Sequence, residues 1–228
     1  MKRYILYVLF GLSLSVTSCK IDTYSLPSET LCGKITCADG SPFITEQPNG
    51  FRIQINEVVN GEITNFPQYF WGRPDGSFRN TKIFKGIYVV QPVEGAFLDV
   101  DPVEVEISGE TELNFEVVPN ITINASVTAS GPDVIAKFRL VKSKGAGKIT
   151  TARLLVSKWN PNVGMNCLDW EQTLDLSETS DDVIGTKTYT VSILDCLESG
   201  VTYYARVAAL AANTSGRYNF SEVVKIEM

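Results

Sequence analysis

Alternation of apolar and polar residues with a period of two is the feature that most limits what this chain can fold into. Residues 51–57 put Phe51, Ile53 and Ile55 on one face, and residues 103–107 alternate valine or isoleucine with glutamate. This is the period of a β-strand with one buried face. Similar runs, separated by turn residues, continue to the end of the chain. The sequence therefore predicts an all-β fold.

The length of the chain limits the number of domains. The 228 residues, less a short N-terminal segment, leave room for two domains of about 100 residues. The hydrophobic content of 44% is enough for a core in each half. We predict two tandem β-sandwich domains, residues 31–119 and 120–228. Within the first, residues 103–107 and 113–117 flank Ser108-Gly109, which predicts a β-hairpin.

Turn and core motifs of the first half resemble a known family. They are Asp75-Gly76-Ser77-Phe78, Phe84-Lys85-Gly86-Ile87-Tyr88 and Gly95-Ala96-Phe97. The series resembles DUF3823, a Bacteroidetes lipoprotein family of unknown function, and more distantly the transthyretin-like or carboxypeptidase-regulatory sandwich. The resemblance implies a prealbumin-like fold for residues 31–119. It defines no catalytic residue.

The second half carries a different resemblance. Residues 197–207 resemble the E–F corner of fibronectin type III domains, with Ser199 where proline is usual. This implies a fibronectin type III or Ig-like sandwich for residues 120–228. Tyr203 would then be the tyrosine of the corner, with its ring in the core and its hydroxyl bonded to nearby backbone. We expect three further residues to share its buried face: Ala205, Val207 and Ala209.

The N-terminal segment resembles that of a bacterial lipoprotein. Lys2-Arg3 precedes an apolar run, residues 4–14, that is too short to span about 30 Å of hydrocarbon. Small residues then lead to Cys19, as in a lipobox. We predict a lipoprotein signal peptide at residues 1–19, lipidation of Cys19, and a tether at residues 20–30.

A lipid on Cys19 would determine where the protein is located and would make the membrane one of its partners. Val16 and Ser18 also suit ordinary signal peptidase cleavage, which stays open as the alternative. Lys20 and Asp22 partly match the surface-export signal of such lipoproteins. We therefore expect a lipid-anchored protein of the outer membrane that faces the cell surface, with the membrane itself as a partner through the anchor.

Charge and composition argue against several functions. The net charge of −6 disfavours nucleic acid as a partner. No histidine is present, and no nucleophile elbow or metal-ligand spacing occurs. We predict a protein that is not an enzyme and that has no cofactor and no metal site. A glycoside hydrolase using two facing carboxylates about 5–10 Å apart is the minor alternative.

The four cysteines outside the lipobox can be considered as two candidate disulfide pairs. Cys32 and Cys37 lie on one predicted strand, about 16 Å apart at 3.3 Å per residue, which excludes a disulfide. The fibronectin-type resemblance brings Cys167 and Cys196 to the same pole of the sandwich. Because an exported chain tolerates disulfides, we weigh a Cys167–Cys196 bond equally against two free thiols.

Aromatic residues are the candidate ligand contacts. Tyr69 and Trp71 share one face of a predicted strand, and Trp159 and Trp170 bracket the polar loop at residues 160–164. Flat rings beside amide groups suit sugar rings, although alternate aromatics in a strand are often core residues.

The functional hypothesis follows from these contacts. It is a non-catalytic carbohydrate-binding or accessory lipoprotein of a glycan-uptake system, with a polysaccharide as ligand. The alternative is a structural or docking spacer whose partner is an outer-membrane transporter or receptor complex.

Overall fold

A computed structural model describes residues 25–46, 48–213 and 215–228. The predicted signal peptide and the lipidation residue Cys19 lie outside the described residues, as does the start of the tether. Within the described part, the chain is composed almost entirely of β-strands, which confirms the predicted all-β class.

The first half forms two sheets. Its strands are β1 (Glu29–Cys37), β2 (Arg52–Val59), β3 (Glu62–Ile63), β4 (Gln68–Trp71), β5 (Ser77–Ile83), β6 (Gly86–Val93), β7 (Val103–Ile107), β8 (Glu110–Glu112) and β9 (Phe115–Val117). One sheet has the order β5-β1-β8, with β9 also on β1. The other has the order β3-β2-β6-β7, with β4 also on β2. Leu31 and Ile35 of one sheet share a core with Ile53 and Ile55 of the other, as the alternation predicts.

The second half forms two further sheets. Its elements are β10 (Ile121–Ser130), β11 (Asp133–Lys142), β12 (Ile149–Lys158), β13 (Trp170–Asp175), α1 (Asp181–Thr186), β14 (Tyr189–Ile193), β15 (Thr202–Ala211), β16 (Asn219–Phe220) and β17 (Val224–Glu227). One sheet has the order β10-β11-β14, and the other β13-β12-β15-β16, with β17 also on β15. A second core fills the space between them.

The predicted hairpin at Ser108-Gly109 is wrong. β7 pairs with β6, whereas β8 and β9 pair in parallel with β1 in the other sheet. The chain crosses close to Gly33, where the Leu113 N–H donates to the Cys32 carbonyl at 2.9 Å. A Cβ on Gly33 would lie 1.8 Å from the Leu113 carbonyl oxygen, so only glycine permits this crossing. A period of two defines the faces of a strand, but it does not identify the neighbouring strand.

The predicted tyrosine corner is confirmed. The ring of Tyr203 is fully buried, and its hydroxyl accepts a hydrogen bond of 2.9 Å from the Glu198 N–H. The predicted companions on its face are also buried: Ala205, Val207 and Ala209. The bond holds the loop before β15 against the core of the second half.

We expect Tyr203→Phe to lower the free energy of unfolding by about 1–2 kcal/mol, because the Glu198 N–H loses its acceptor. Urea denaturation measures the change. Tyr204→Phe is the control, because its hydroxyl makes no hydrogen bond to the described residues. Equal losses in both variants would contradict a special role for the corner.

Candidate functional site

Hydrogen bonds join the two halves at a junction around Asn219. No strand of the described residues pairs across it. The Asn219 side chain is buried and donates to the Ala96 carbonyl at 2.7 Å, while its amide oxygen accepts from the Ile121 N–H at 3.0 Å. The Asn120 N–H also donates to Ala96, at 2.9 Å. These contacts hold the link between the halves in one position.

A buried acid and a buried base form a second part of the junction. Glu46 is 4% exposed and Arg206 is 3% exposed. Glu46 accepts from the Met165 N–H at 2.9 Å, and Arg206 donates to the Thr45 carbonyl at 3.2 Å. The Arg206 guanidinium also lies 3.9 Å from the centre of the Phe220 ring. Side chains from both halves are thus locked together away from water.

Burial changes the proton affinity of both groups. Desolvation lowers the pKa of Arg206 to about 10, and the charge of Glu46 acts in the opposite direction. Desolvation raises the pKa of the Glu46 carboxyl, and the Met165 N–H and Arg206 partly oppose this shift. Each charge therefore partly offsets the cost of burying the other inside the junction.

Beside this junction, a cleft of about 770 Å³ lies between the two halves. The first half contributes segment 91–100 and the second contributes Asn120, segment 145–147 and residues near Asn213. The polar side chains that line it are Gln91, Glu94, Asp99, Asn120, Asn213 and Ser215. Its size is in the range of small-ligand sites.

Two of the predicted aromatic residues lie together on β4. Tyr69 is 43% exposed and Trp71 is 40% exposed. Phe70, between them, turns inward, and the centre of its ring lies 6.2 Å from the centre of the Phe78 ring. Tyr69 and Trp71 therefore share one face of β4, as predicted, and Phe70 lies on the other. The guanidinium of Arg52, on the neighbouring strand β2, lies 4.3 Å from the centre of the Tyr69 ring and 5.2 Å from that of Trp71.

A second guanidinium reaches Trp71 from the other half of the chain. Arg217 lies 5.4 Å from the centre of the Trp71 ring. Its backbone is held by Asn213, whose amide accepts from the Arg217 N–H and donates to the Arg217 carbonyl. We call Arg52, Tyr69, Trp71 and Arg217 the Trp71 platform. Sequence reasoning identified its rings but not its two arginines.

The Trp71 platform borders the cleft. Glu94 lines the cleft and forms an ion pair with Arg52. Asn213 also lines the cleft and holds the backbone of Arg217. Exposed aromatic rings and a polar cleft are therefore parts of one surface that both halves build.

The other two predicted tryptophans do not join this surface. Trp170 is half-buried and packs on the core of the second half. The centre of its ring lies 6.0 Å from the centre of the Tyr203 ring. Trp159 is 61% exposed and has a positive φ of 70°. Among the described residues, neither ring stacks with Tyr69 or Trp71. Trp170 is primarily a packing residue, because its partly buried side chain packs against the core of the second half.

The disulfide weighed between Cys167 and Cys196 is not formed. Cys196 is buried in the core of the second half, and its thiol donates to the Ile193 carbonyl. Cys167 lies in the loop after β12, where its sulfur accepts from the Asn160 amide at 2.8 Å. The two thiols occupy separate environments. Cys32 and Cys37 are also free and lie on β1, as predicted.

Two kinds of feature are absent from the described residues. No helix in this part of the chain has both the length and the apolar character needed to cross a membrane. Nor do three or more cysteine, aspartate or glutamate side chains of these same residues converge as a metal site would require.

The fold defines a class: an all-β protein whose sheets pack around two hydrophobic cores. Residues 29–118 match the family described as "Protein of unknown function (DUF3823) N-terminal domain". This match covers the segment that carries the turn motifs, and it confirms the resemblance predicted from them.

Solved structures share this fold over most of the chain. A DUF3823 family protein from Bacteroides uniformis superposes with a TM-score of 0.76 at 24% identity, covering 89% of this chain and 100% of its own. A DUF3823 family protein from Parabacteroides merdae superposes with a TM-score of 0.69 at 23% identity, again covering 89% of this chain and 100% of its own. A Bacteroides uniformis protein described as a candidate carbohydrate-binding protein gives 0.71 at 26% identity, again with 89% and 100% coverage. No curated protein matches the chain.

Proposed function

We propose that this chain is a non-catalytic carbohydrate-binding protein that takes a glycan in the cleft beside the Trp71 platform. The observation that carries the proposal is the exposure of Tyr69 and Trp71 at the border of a cleft lined by amides and carboxylates. Aromatic rings pack against the apolar C–H faces of sugars, and amides and carboxylates bond their hydroxyls. The similar Bacteroides uniformis protein described as a candidate carbohydrate binder supports it.

Binding without catalysis is the better fit to the chemistry of the cleft. The whole chain lacks histidine, the most frequent general base near neutral pH. Glycoside hydrolysis needs two carboxyl groups free to act on the sugar. Of the two carboxylates in the cleft, Glu94 and Asp99, the first is already engaged by Arg52.

Affinity electrophoresis in gels that contain soluble polysaccharides tests the proposal. We expect at least one polysaccharide to retard the folded protein relative to a reference protein of similar size. Unretarded migration through every gel of a broad panel, with a native circular dichroism spectrum, would count against carbohydrate binding.

The second candidate function is docking to an outer-membrane transporter or receptor lipoprotein. Exposed apolar side chains on the segment from β2 to β4 favour it: Val59, Ile63 and Phe66, the last 84% exposed. Large exposed apolar side chains often mark protein contacts. A photo-crosslinking residue at Phe66 would form a defined adduct with such a partner in cells, whereas one at the exposed Glu116 would not.

We further propose that the chain is anchored through a lipid on Cys19 in the outer membrane and faces the cell surface. The lipobox-like residues before Cys19 support this proposal, since two or more acyl chains suffice for stable anchoring. Wild-type protein from the native host should enter the detergent phase of a Triton X-114 partition. Cys19→Ser should leave the protein in the aqueous phase, and equal partitioning of both would contradict lipidation.

A further inference from the structure

We infer that the cleft beside the Trp71 platform selects a neutral, hydroxyl-rich glycan and rejects acidic polysaccharides. The inference rests on the proposed function, because it names the class of glycan that the same site would take. It draws on the distribution of charge around the cleft, which the aromatic rings alone do not determine.

The one charge in the described lining of the cleft that has no ion-pair partner is negative: Glu94 is paired with Arg52, and Asp99 is unpaired. Of the described residues lining it, only Glu94 and Asp99 carry charge, and none is lysine or arginine. The Asp99 side chain is exposed and makes no hydrogen bond to the described residues. A sugar hydroxyl can donate to such a carboxylate, whereas a carboxylate or sulfate on the glycan would be repelled by it.

The nearby arginines are already engaged. Arg52 forms an ion pair with Glu94 and lies against two aromatic rings. Arg217 lies against Trp71 and, like Arg52, has a buried Nε that no ligand could reach. The face of a guanidinium packed on a ring stabilises the platform through cation–π contact. These two cations therefore help to hold the rings in place, and their Nε atoms are closed to a ligand.

The electrostatic field of the whole protein also disfavours an acidic polysaccharide. The chain carries a net charge of −6, so it repels a polyanion at long range as well as within the cleft. A neutral polysaccharide is unaffected by this repulsion, and its binding should depend little on salt.

Pairs of polysaccharides that share a backbone and differ in charge provide the test. The full chain is run in gels containing dextran or dextran sulfate, hydroxyethyl cellulose or carboxymethyl cellulose, and methyl-esterified pectin or polygalacturonate. We expect the neutral member of at least one pair to bind at least about tenfold more tightly, with little change between about 0.05 and 0.5 M NaCl. Tighter binding to the acidic members would overturn the inference and leave the proposed function intact. No retardation in any gel would overturn both.

Charge reversal in the cleft sharpens this test. We expect Asp99→Lys to raise the affinity for the acidic member relative to the neutral one by at least about threefold. Glu62→Lys is the matched control, because Glu62 lies on β3 beside Val59, at the opposite end of β2 from Arg52. An unchanged ratio in the Asp99 variant, or an equal shift in the Glu62 variant, would contradict a direct role for the acidic lining.

Discussion

Replacing Arg206 with methionine is expected to lower the free energy of unfolding by about 3–5 kcal/mol. Glu46 would remain in the junction, 4% exposed, and would lose the charge of Arg206, which helps to stabilise its ionised form. The Thr45 carbonyl would also lose its hydrogen bond from the guanidinium. Urea denaturation at pH 7 measures the loss.

The loss should depend on pH. In the wild type, burial raises the pKa of Glu46, so the folded protein binds this proton more tightly than the unfolded chain does. The contribution of Glu46 to stability therefore falls as pH rises from its ordinary pKa through the raised one. Without Arg206 the pKa rises further, so Arg206→Met should lose more stability at pH 8 than at pH 5. A loss independent of pH would contradict the coupling of the two groups.

A double variant is the control for this prediction. Glu46→Gln combined with Arg206→Met removes both charges and keeps an oxygen that can accept from the Met165 N–H. We expect the double variant to be more stable than Arg206→Met alone, because no unpaired charge remains buried. If it is equally unstable, the loss comes from packing alone.

Replacing Trp71 with alanine should weaken polysaccharide binding at least about tenfold, which corresponds to about 1.4 kcal/mol. The variant removes the ring that the guanidinium groups of Arg52 and Arg217 both approach at the border of the cleft. Affinity electrophoresis with a polysaccharide that retards the wild type measures the change.

Trp159→Ala is the matched control, because it also removes an exposed indole but leaves the Trp71 platform whole. Its affinity should stay within about twofold of the wild-type value. Strong binding by the Trp71 variant, or an equal loss in the Trp159 variant, would place the glycan elsewhere.

Local patterns in the sequence predicted much of the fold. The alternation around Ile53 determines which side chains are buried, because successive residues of a strand face opposite sides of a sheet. The corner motif around Tyr203 predicted a hydrogen bond that is present. Both features depend on residues close together in the chain, where spacing alone carries the information.

Features that join distant residues could not be predicted in this way. The parallel pairing of β8 and β9 with β1 depends on a crossing close to Gly33, which no local pattern reports. The same holds for the site, where Arg217 from the second half meets Trp71 from the first. The tryptophans were visible in the sequence, but their environments were not, so Trp170 was grouped with exposed candidates although it packs on the core.

The indole N–H resonances of the tryptophans test the central claim most directly. The chain has three tryptophans, so a ¹H–¹⁵N spectrum shows three indole signals, which single Trp→Phe variants assign. Addition of a polysaccharide that retards the protein should shift the Trp71 signal and leave those of Trp159 and Trp170 in place. A shift of the Trp159 signal with Trp71 unchanged would contradict a glycan site at the Trp71 platform.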